Sequence, residues 1–389
     1  MTIASLTAVS ALVLLGQVLA ATGSSQRRTE RLDGNPGPVA VLMPAHDESI
    51  GIAASIASVL PQLRRGDRLL VVADNCTDAT ATVARTAGAE VVERHDPARR
   101  GKGYALDFGI RYLGHHPPAV VVVVDADCTL RARAVERLAR ASLRSGRPTQ
   151  ALYLMHCSAG AGLRARIAEF AWIVRNHVRP LGALRLGLPC QLMGTGMAFP
   201  WPLIEGAPLA SGNLVEDLEL GLHLAAAGYA PVFCPEAQVD SVFPDDGVAR
   251  AAQRTRWEHG HLSMIASAAP RLLWIGLRHR TVGAVALAVD LCVPPLASFV
   301  LIAAVLAGLG GVLAALGGPP APCIVASGTL SVIVASVLLA WARFGRSIVS
   351  LRELLASPAY VVAKVPMYAR LFKSRQAEWI RTRRDDKGG

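Results

Sequence analysis

"AVVVVVDAD", residues 119–127, decides the fold. Its five consecutive Val are β-branched, stiff at χ1 and suited to a pleated strand. A strand that is apolar at every position, rather than at alternate ones, is buried on both faces, as in sheets covered by helices. Asp125 and Asp127 follow the run and, on an extended chain, project to the same side. Two readings of that pair stand side by side. Asp after a strand commonly caps the next helix. Two hard carboxylates at a sheet edge also suit Mg²⁺ or Mn²⁺ shared with phosphates.

Working outward, strands and helices alternate with short Gly, Pro or Asp turns. "VAVLMP" (39–44), "RLLVVAD" (68–74) and "AEVVER" (89–94) read as strands. "SIGIAASIASVLPQL" (49–63), "ATATVARTAG" (79–88) and "GYALDFGIRYLG" (103–114) read as helices, with Ser49 as a cap for the first. The alternation predicts an α/β fold, a mostly parallel sheet with helices on both faces. Ligands of such sheets bind beyond the carboxyl ends of the strands. Those ends are acidic here: His46, Asp47 and Glu48 after the first strand, Asp74 and Asp78 after the second, Asp125 and Asp127 after the central one.

The chain has 389 residues, 52% hydrophobic, a net charge of +11 and a mean hydropathy of +0.37, which directs attention to membrane segments. Residues 3–22 carry no charge, and the basic "QRRTER" follows at once. A retained anchor with its C-terminal side in the cytoplasm fits this better than a secretory signal peptide, which is basic at its front. A second apolar block, 281–316, is interrupted by Asp290 and Pro294–Pro295, and a third covers 323–342. Three crossings put every basic flank in the cytoplasm. The expected organisation is an anchor at 1–24, a cytoplasmic α/β domain at 38–250 and a boundary segment at 251–280. Transmembrane segments at 281–345 and an interfacial amphipathic helix with a basic tail at 346–389 complete it. This places the protein in the plasma or inner membrane with the lipid bilayer as a partner. The membrane flanks explain the positive charge, and no aromatic–basic module points to nucleic acid. Seven Cys without CxxC spacing, in a cytoplasmic domain, are expected as thiols.

"QRTRWEHGHL" (253–262) stands where the domain meets the apolar block. At helical spacing Gln253, Arg256 and Trp257 share one face, which is either a basic interfacial helix with an aromatic anchor or a binding surface. "RRGKGYAL" (99–106) lacks the P-loop spacing, and its Lys102 is either a solvated cation or a phosphate contact.

The ordered set of Asp74, "DAD" at 125–127, "VED" at 215–217 and "QRTRW" at 253–257 resembles the membrane-bound branch of family 2 glycosyltransferases. That branch holds the cellulose, hyaluronan and poly-N-acetylglucosamine synthases and ceramide glucosyltransferase. The resemblance covers about residues 38–280. It implies a GT-A fold, a nucleotide-sugar donor, usually a UDP-sugar, and a Mg²⁺ or Mn²⁺ cofactor held by Asp125 and Asp127. Glu48, Asp74, Lys102 and Arg256 would complete the nucleotide-sugar site, with Arg256 on the leaving diphosphate. Asp217 would be the general base, and in-line displacement would invert the anomeric centre. Gln253, Trp257, Glu216 and, in the loop "LMGTGMAFP" (192–200), Gly194 and Thr195 would meet the acceptor. That acceptor is expected to be lipid-linked or a glycan, in exopolysaccharide, cell-envelope glycan or glycolipid synthesis. A processive polysaccharide synthase is the alternative, and a non-catalytic membrane nucleotide-binding protein a more distant one. His259 and His261, two residues apart, face different sides of a helix and so do not suit a metal pair; the other reading puts them near the acceptor or a lipid phosphate.

Overall fold

The computed structural model describes residues 2–23, 36–211, 215–244 and 247–357, without the side chains of 247–254 and 256. Much of the expected linker, all of the basic stretch after the anchor, and the interfacial helix and tail beyond 357 lie outside these residues.

Eight strands form one sheet: β1 (Val39–Ala45), β2 (Arg68–Asp74), β3 (Glu90–Arg94), β4 (Val120–Val123), β5 (Thr129–Leu130), β6 (Thr149–His156), β7 (Met197–Pro200) and β8 (Val232–Val242). Their order is β3-β2-β1-β4-β7-β6-β8-β5. The β3-β2-β1-β4 half is parallel throughout, and β6 pairs with β8 in parallel. Strand β7 runs antiparallel between β4 and β6.

The unbroken apolar strands are explained by two cores, one on each face. Val39, Val41 and Met43 of β1 and Val120 and Val122 of β4 pack on one side with Ile52, Ile56 and Leu138. Ala40 and Leu42 of β1 and Val121 and Val123 of β4 pack on the other with Leu106, Ile110 and Leu220. The first side is covered by α2 (Ile52–Val59), α3 (Thr80–Thr86) and, further along the chain, α5 (Ala134–Ser145). Helix α4 (Lys102–Leu113) lies on the second.

Two local expectations are corrected. Ser49 does not cap α2. The helix begins at Ile52 after Gly51, and the backbone N–H of Ser49 instead donates to Asp78 at 3.1 Å. The extended chain of the central strand ends at Val123, and Ala126–Asp127 form a turn. Proximity of the two carboxylates comes from that turn rather than from strand alternation.

The remaining helices attach an apolar layer to this domain. Helix α1 (Thr2–Thr22) precedes the sheet, and α6 (Leu163–Ile173) runs through a π-helical turn at Val174–Val178 into α7 (Arg179–Arg185). After the short α8 (Trp201–Ile204) come α9 (Glu216–Ala226), α10 (Gly247–Ser267), α11 (Ala269–Arg278) and α12 (Val282–Leu291). Helices α13 (Leu296–Ala315), α14 (Ala321–Ala340) and α15 (Leu351–Leu355) follow. The break at Pro294–Pro295 divides the second apolar block into the ten residues of α12 and the twenty of α13. Among the described residues, three helices, within 3–22, 296–315 and 321–345, are long and apolar enough to cross a membrane. Twenty residues rise about 30 Å.

Helix α1 is locked to the domain at two points. Its backbone passes so close to α7 that a Cβ on Gly182 would lie 1.9 Å from the Gln17 carbonyl oxygen. Asp290 of α12, buried under the domain, accepts from Gln17 Nε2 at 2.6 Å, Gln191 Nε2 at 2.6 Å and Arg179 Nη2 at 2.8 Å. The one acid of the apolar block is thus a fully partnered buried ion pair.

Candidate active site

The carboxyl ends of β1, β2 and β4 open on one edge of the sheet. Because β7 runs the other way, its first residues reach that same edge, with Met197 opposite Val123. A cleft of about 270 Å³ lies there. Glu48, Asp74, Lys102, Asp125, Asp127, Gly194, Glu216, Asp217 and Trp257 all line it. Residues from seven separate stretches of sequence are therefore brought to one place.

The turn carrying Asp125 and Asp127 is held from behind. Ser55 Oγ of α2 donates to the Ala126 carbonyl at 2.7 Å, and the Asp125 N–H donates to Thr195 Oγ1 at 3.0 Å. Thr195 is wholly buried and does not line the cleft. Its expected contact with the acceptor is corrected accordingly: its hydroxyl faces the backbone of the acidic turn. Gln150, also wholly buried, fixes the same loop by donating to the Thr195 carbonyl at 2.9 Å and accepting from Met193 N–H at 2.8 Å.

Lys102, the first residue of α4, sits among the acids. Its Nζ is 2.5 Å from Asp125 Oδ1 and 3.9 Å from Glu216 Oε1, and it donates to the Gly194 carbonyl at 2.7 Å. Gly194 has φ +89°, and a Cβ there would lie 3.4 Å from Asp217 Oδ2 and 3.6 Å from Lys102 Nζ. Glycine at this point lets the backbone, the Asp217 carboxylate and the Lys102 ammonium meet. Asp217 follows Glu216 in the first turn of α9, where the helix dipole favours negative charge. Burial nonetheless raises the Asp217 carboxyl above the ordinary range, against the pull of Lys102 and Arg175. Burial, with the Asp217 charge beside it, pushes Glu216 up to about 7. Four carboxylates thus face the Lys102 ammonium, and Arg100 and Arg175 line the same cleft.

Asp125, Asp127 and Cys128 each offer a ligand atom, all within 4.8 Å of one another. Paired carboxylate oxygens of this kind fit Mg²⁺ or Mn²⁺. Asp74 is tied to Arg94, Nη1 to Oδ1 at 2.6 Å, and the guanidinium lies 5.6 Å from the Tyr104 ring. His46 Nδ1 lies 2.7 Å from the Asp74 carbonyl oxygen and so clamps the ends of β1 and β2. Gln253 and Arg256 fall on α10, but their side chains lie outside the described residues. Trp257, one residue on, stacks against Trp172 with ring centroids 4.9 Å apart.

Among the cleft residues not singled out from the sequence are Tyr153, Trp172, Arg175 and Asn176. Tyr153 is on β6, Trp172 on α6, and Arg175 and Asn176 on the π-helical turn. Their signal was faint, a pair of polar residues inside "AWIVRNHV". His261, unexplained by spacing, is buried and lines the cleft as well.

Residues 36–260, more than half of the chain, match the family described as Glycosyltransferase like family 2. The chain belongs to that family. This family 2 protein is 38% identical over 200 residues to an uncharacterised glycosyltransferase of Mycobacterium bovis, covering 47% of the chain and 85% of that relative. It is 26% identical over 233 residues to the probable glycosyltransferase YdaM of Bacillus subtilis, covering 57% of the chain and 55% of YdaM. It thus spans about half the length of YdaM. A stretch of 117 residues is 35% identical to the 4,4'-diaponeurosporenoate glycosyltransferase of Staphylococcus aureus, 29% of this chain and 30% of that one. Among solved structures, a mannosyltransferase from Pyrobaculum calidifontis in complex with GDP-Man and Mn²⁺ aligns at TM-score 0.47 and 19% identity. That alignment covers 86% of this chain and 98% of the other. Glucosyl-3-phosphoglycerate synthase from Mycobacterium tuberculosis, in complex with Mn²⁺, UDP and phosphoglyceric acid, aligns at TM-score 0.38 and 24% identity over 58% and 78% of the two chains. The α/β domain of this chain has the GT-A architecture, with a mostly parallel sheet.

Proposed function

We propose that this chain is a membrane-bound inverting glycosyltransferase that moves a sugar from a nucleotide sugar, a UDP-sugar first of all, to an acceptor presented at the bilayer. One observation carries the reading: Asp217, Lys102 and the Asp125–Asp127 pair share one cleft around Gly194. The acceptor would be lipid-linked or a glycan, in cell-envelope glycan or glycolipid synthesis. The three apolar helices would span the plasma or inner membrane and hold the catalytic domain on the cytoplasmic side. Leu309 and Ile324, 64% and 67% exposed on α13 and α14, are surfaces that suit lipid.

The chemistry follows from the residues. The Asp217 carboxylate takes the proton of an acceptor hydroxyl as its oxygen forms a bond to the anomeric carbon. The bond from that carbon to the donor phosphate breaks, and its electron pair leaves with the nucleoside diphosphate. Attack opposite the leaving group inverts the centre. Asp125 and Asp127 would hold Mg²⁺ or Mn²⁺, which neutralises charge developing on the departing diphosphate. Lys102 adds a fixed positive charge, and Arg256, by position in the motif, offers a two-pronged contact to phosphate. Glu48 and Asp74 lie on the side suited to the nucleoside. Trp257 offers a flat apolar face suited to the C–H side of a sugar.

A single transfer is favoured over a processive synthase, because the acceptor side of the cleft adjoins a cavity lined mostly by apolar residues. The test is release of UDP or GDP from nucleotide sugars by the full chain in nanodiscs, with Mn²⁺ present or chelated. Metal-dependent release that requires an added acceptor supports the reading. A chain that binds no nucleotide under any of these conditions overturns it.

A further inference from the structure

A second cavity, of about 300 Å³, lies between α1, α6, α10, α13 and α14. Its wall is almost wholly apolar, formed by residues such as Leu14, Ile167, Ala297, Phe299 and Val337. Trp172, Arg175, Trp257 and His261 line both this cavity and the active-site cleft, so the two spaces adjoin at that seam.

Two buried side chains, one at this seam and one on its cleft side, have polar atoms without a partner among the described residues. Asn176 is 1% exposed, lines the cleft, and neither its Nδ2 nor its Oδ1 has a partner among the described residues. His261 is 3% exposed. Its Nε2 lies 3.1 Å and 3.2 Å from the Leu291 and Val293 carbonyl oxygens and therefore carries the hydrogen. That fixes Nδ1 as an acceptor, and it too lacks a partner. Leaving such groups buried and unpaired costs about 1–3 kcal/mol each, so a native structure that keeps them calls for an explanation. Asn176 lies in a π-helical turn, Val174–Val178, a feature frequent at functional sites.

We propose that this seam binds the head of an amphipathic acceptor, an uncharged hydroxyl-bearing group on Asn176 and His261, with its single long apolar chain in the adjoining cavity. The inference rests on the transferase reading and names the class of its acceptor. The Nδ1 lone pair favours a hydroxyl, which donates to it. A fully ionised phosphate offers it only acceptors and would turn instead to the Arg175 guanidinium that lines the same seam, so the two probes below separate these head groups. Asn176 supplies a donor and an acceptor to the same head, and the hydroxyl presented to Asp217 lies on the cleft side of the seam. Burial and the Arg175 and Arg179 charges hold the His261 imidazole down at about 3, so it remains a neutral acceptor at physiological pH.

The test is photolabelling of the full chain in phosphatidylcholine nanodiscs, without donor or metal, so that it does not depend on catalysis. The probes are a monoalkylglycerol ether and the corresponding alkyl phosphate, each with a mid-chain diazirine. The glycerol ether is expected to label residues 167–172 and 293–300. Labelling should fall roughly five-fold, the worth of one hydrogen bond, in Asn176→Leu and in His261→Phe, and the phosphate should label less than the ether. Because Asn176→Leu removes an unpaired buried amide, its Tm is expected to match or exceed that of the parent. Should His261→Phe not fold, Ala297→Phe fills the cavity from another side and is expected to abolish the same labels. Three outcomes overturn the proposal: labels confined to the outer faces of α13 and α14, labels equal for both probes and unchanged in Asn176→Leu, or cavity labels seen only after residues 358–389 are deleted. Failure to release nucleotide with these labels present would sink the transferase reading alone.

Discussion

Trp172 and Trp257 stack with ring centroids 4.9 Å apart and planes inclined at 40°. Trp172 belongs to the wall of the α/β domain, edge-on to Tyr153 and Phe243, and Trp257 to the helix leading toward the apolar segments. The pair therefore couples the catalytic sheet to the apolar layer at the point where the acceptor would enter. Trp257→Ala is expected to lower kcat/KM for the acceptor by about ten-fold, the upper end of an aromatic pair's worth, while UDP affinity stays as in the parent. Trp257→Phe should recover most of the loss. Calorimetry with UDP beside acceptor kinetics checks this, and an equal loss in both would contradict it.

The backbone at Gly194 is one that other residues rarely adopt, and it faces Asp217, the proposed base. Gly194→Ala forces an L side chain to φ +89° and sets a methyl 3.4 Å from Asp217 Oδ2. A fall of at least about ten-fold in kcat is expected, since small misplacements at the reacting centre cost that much or more. Circular dichroism is expected to show the parent's secondary structure. Full activity in this variant would mean that the loop does not border the reacting centre.

Burial raises Asp217, and a base works only when ionised. Activity is thus present above its raised pKa and lost as pH falls through it, so the acid limb of kcat/KM should lie above the range of about 4 where exposed aspartates titrate. Burial and the Asp217 charge push Glu216 up to about 7, so below that pH Glu216 is largely protonated and adds little charge beside Asp217. Glu216→Gln, which resembles that protonated form, is predicted to leave the acid limb in place. A limb that moves to markedly lower pH in Glu216→Gln would show that Glu216 is ionised while Asp217 titrates.

Asp290 ties together three parts of the chain, α1 through Gln17, α7 through Arg179 and the loop before Gly194 through Gln191. Asp290→Ala leaves the Arg179 charge buried and unpaired, a loss of about 3–5 kcal/mol. Its Tm in nanodiscs should fall by several degrees, and part of that loss should return in Asp290→Ala with Arg179→Met. An unchanged Tm in the single variant would remove the network from the account of how α1 is docked.

Much of this was legible in the sequence because one physical signal dominated. The five Val of 120–124 and the apolar runs at 39–44 and 68–74 are strands buried on both faces, and the sheet keeps all three side by side. Glu48, Asp74, Asp125 and Asp127 at their ends reach one cleft for the same topological reason, whereas Asp47 and Asp78 gather beside Cys76 instead. Ser49 was misread because capping is decided by a local turn, and here the backbone turns at Gly51 instead. Thr195 was assigned to the acceptor from its loop, but the bend there, with positive φ at Gly194 and Gly196, turns Gly194 to the cleft and Thr195 to the Asp125 backbone. Arg175 and Asn176 were unreadable because a π-helical turn shifts their register, which no 3.6-residue pattern reveals. Gln150 on β6 acts across a gap of 45 residues, and no local pattern marks it.

The central claim is that Asp217 is the base of a sugar transfer. The most direct measurement compares wild type and Asp217→Asn in nanodiscs with Mn²⁺, a nucleotide sugar that the wild type cleaves, and an acceptor. The substitution keeps size and hydrogen bonding but cannot take a proton. Nucleotide binding equal to wild type with kcat reduced roughly 10²–10⁴-fold is the predicted result. Turnover by Asp217→Asn at the wild-type rate would contradict the account.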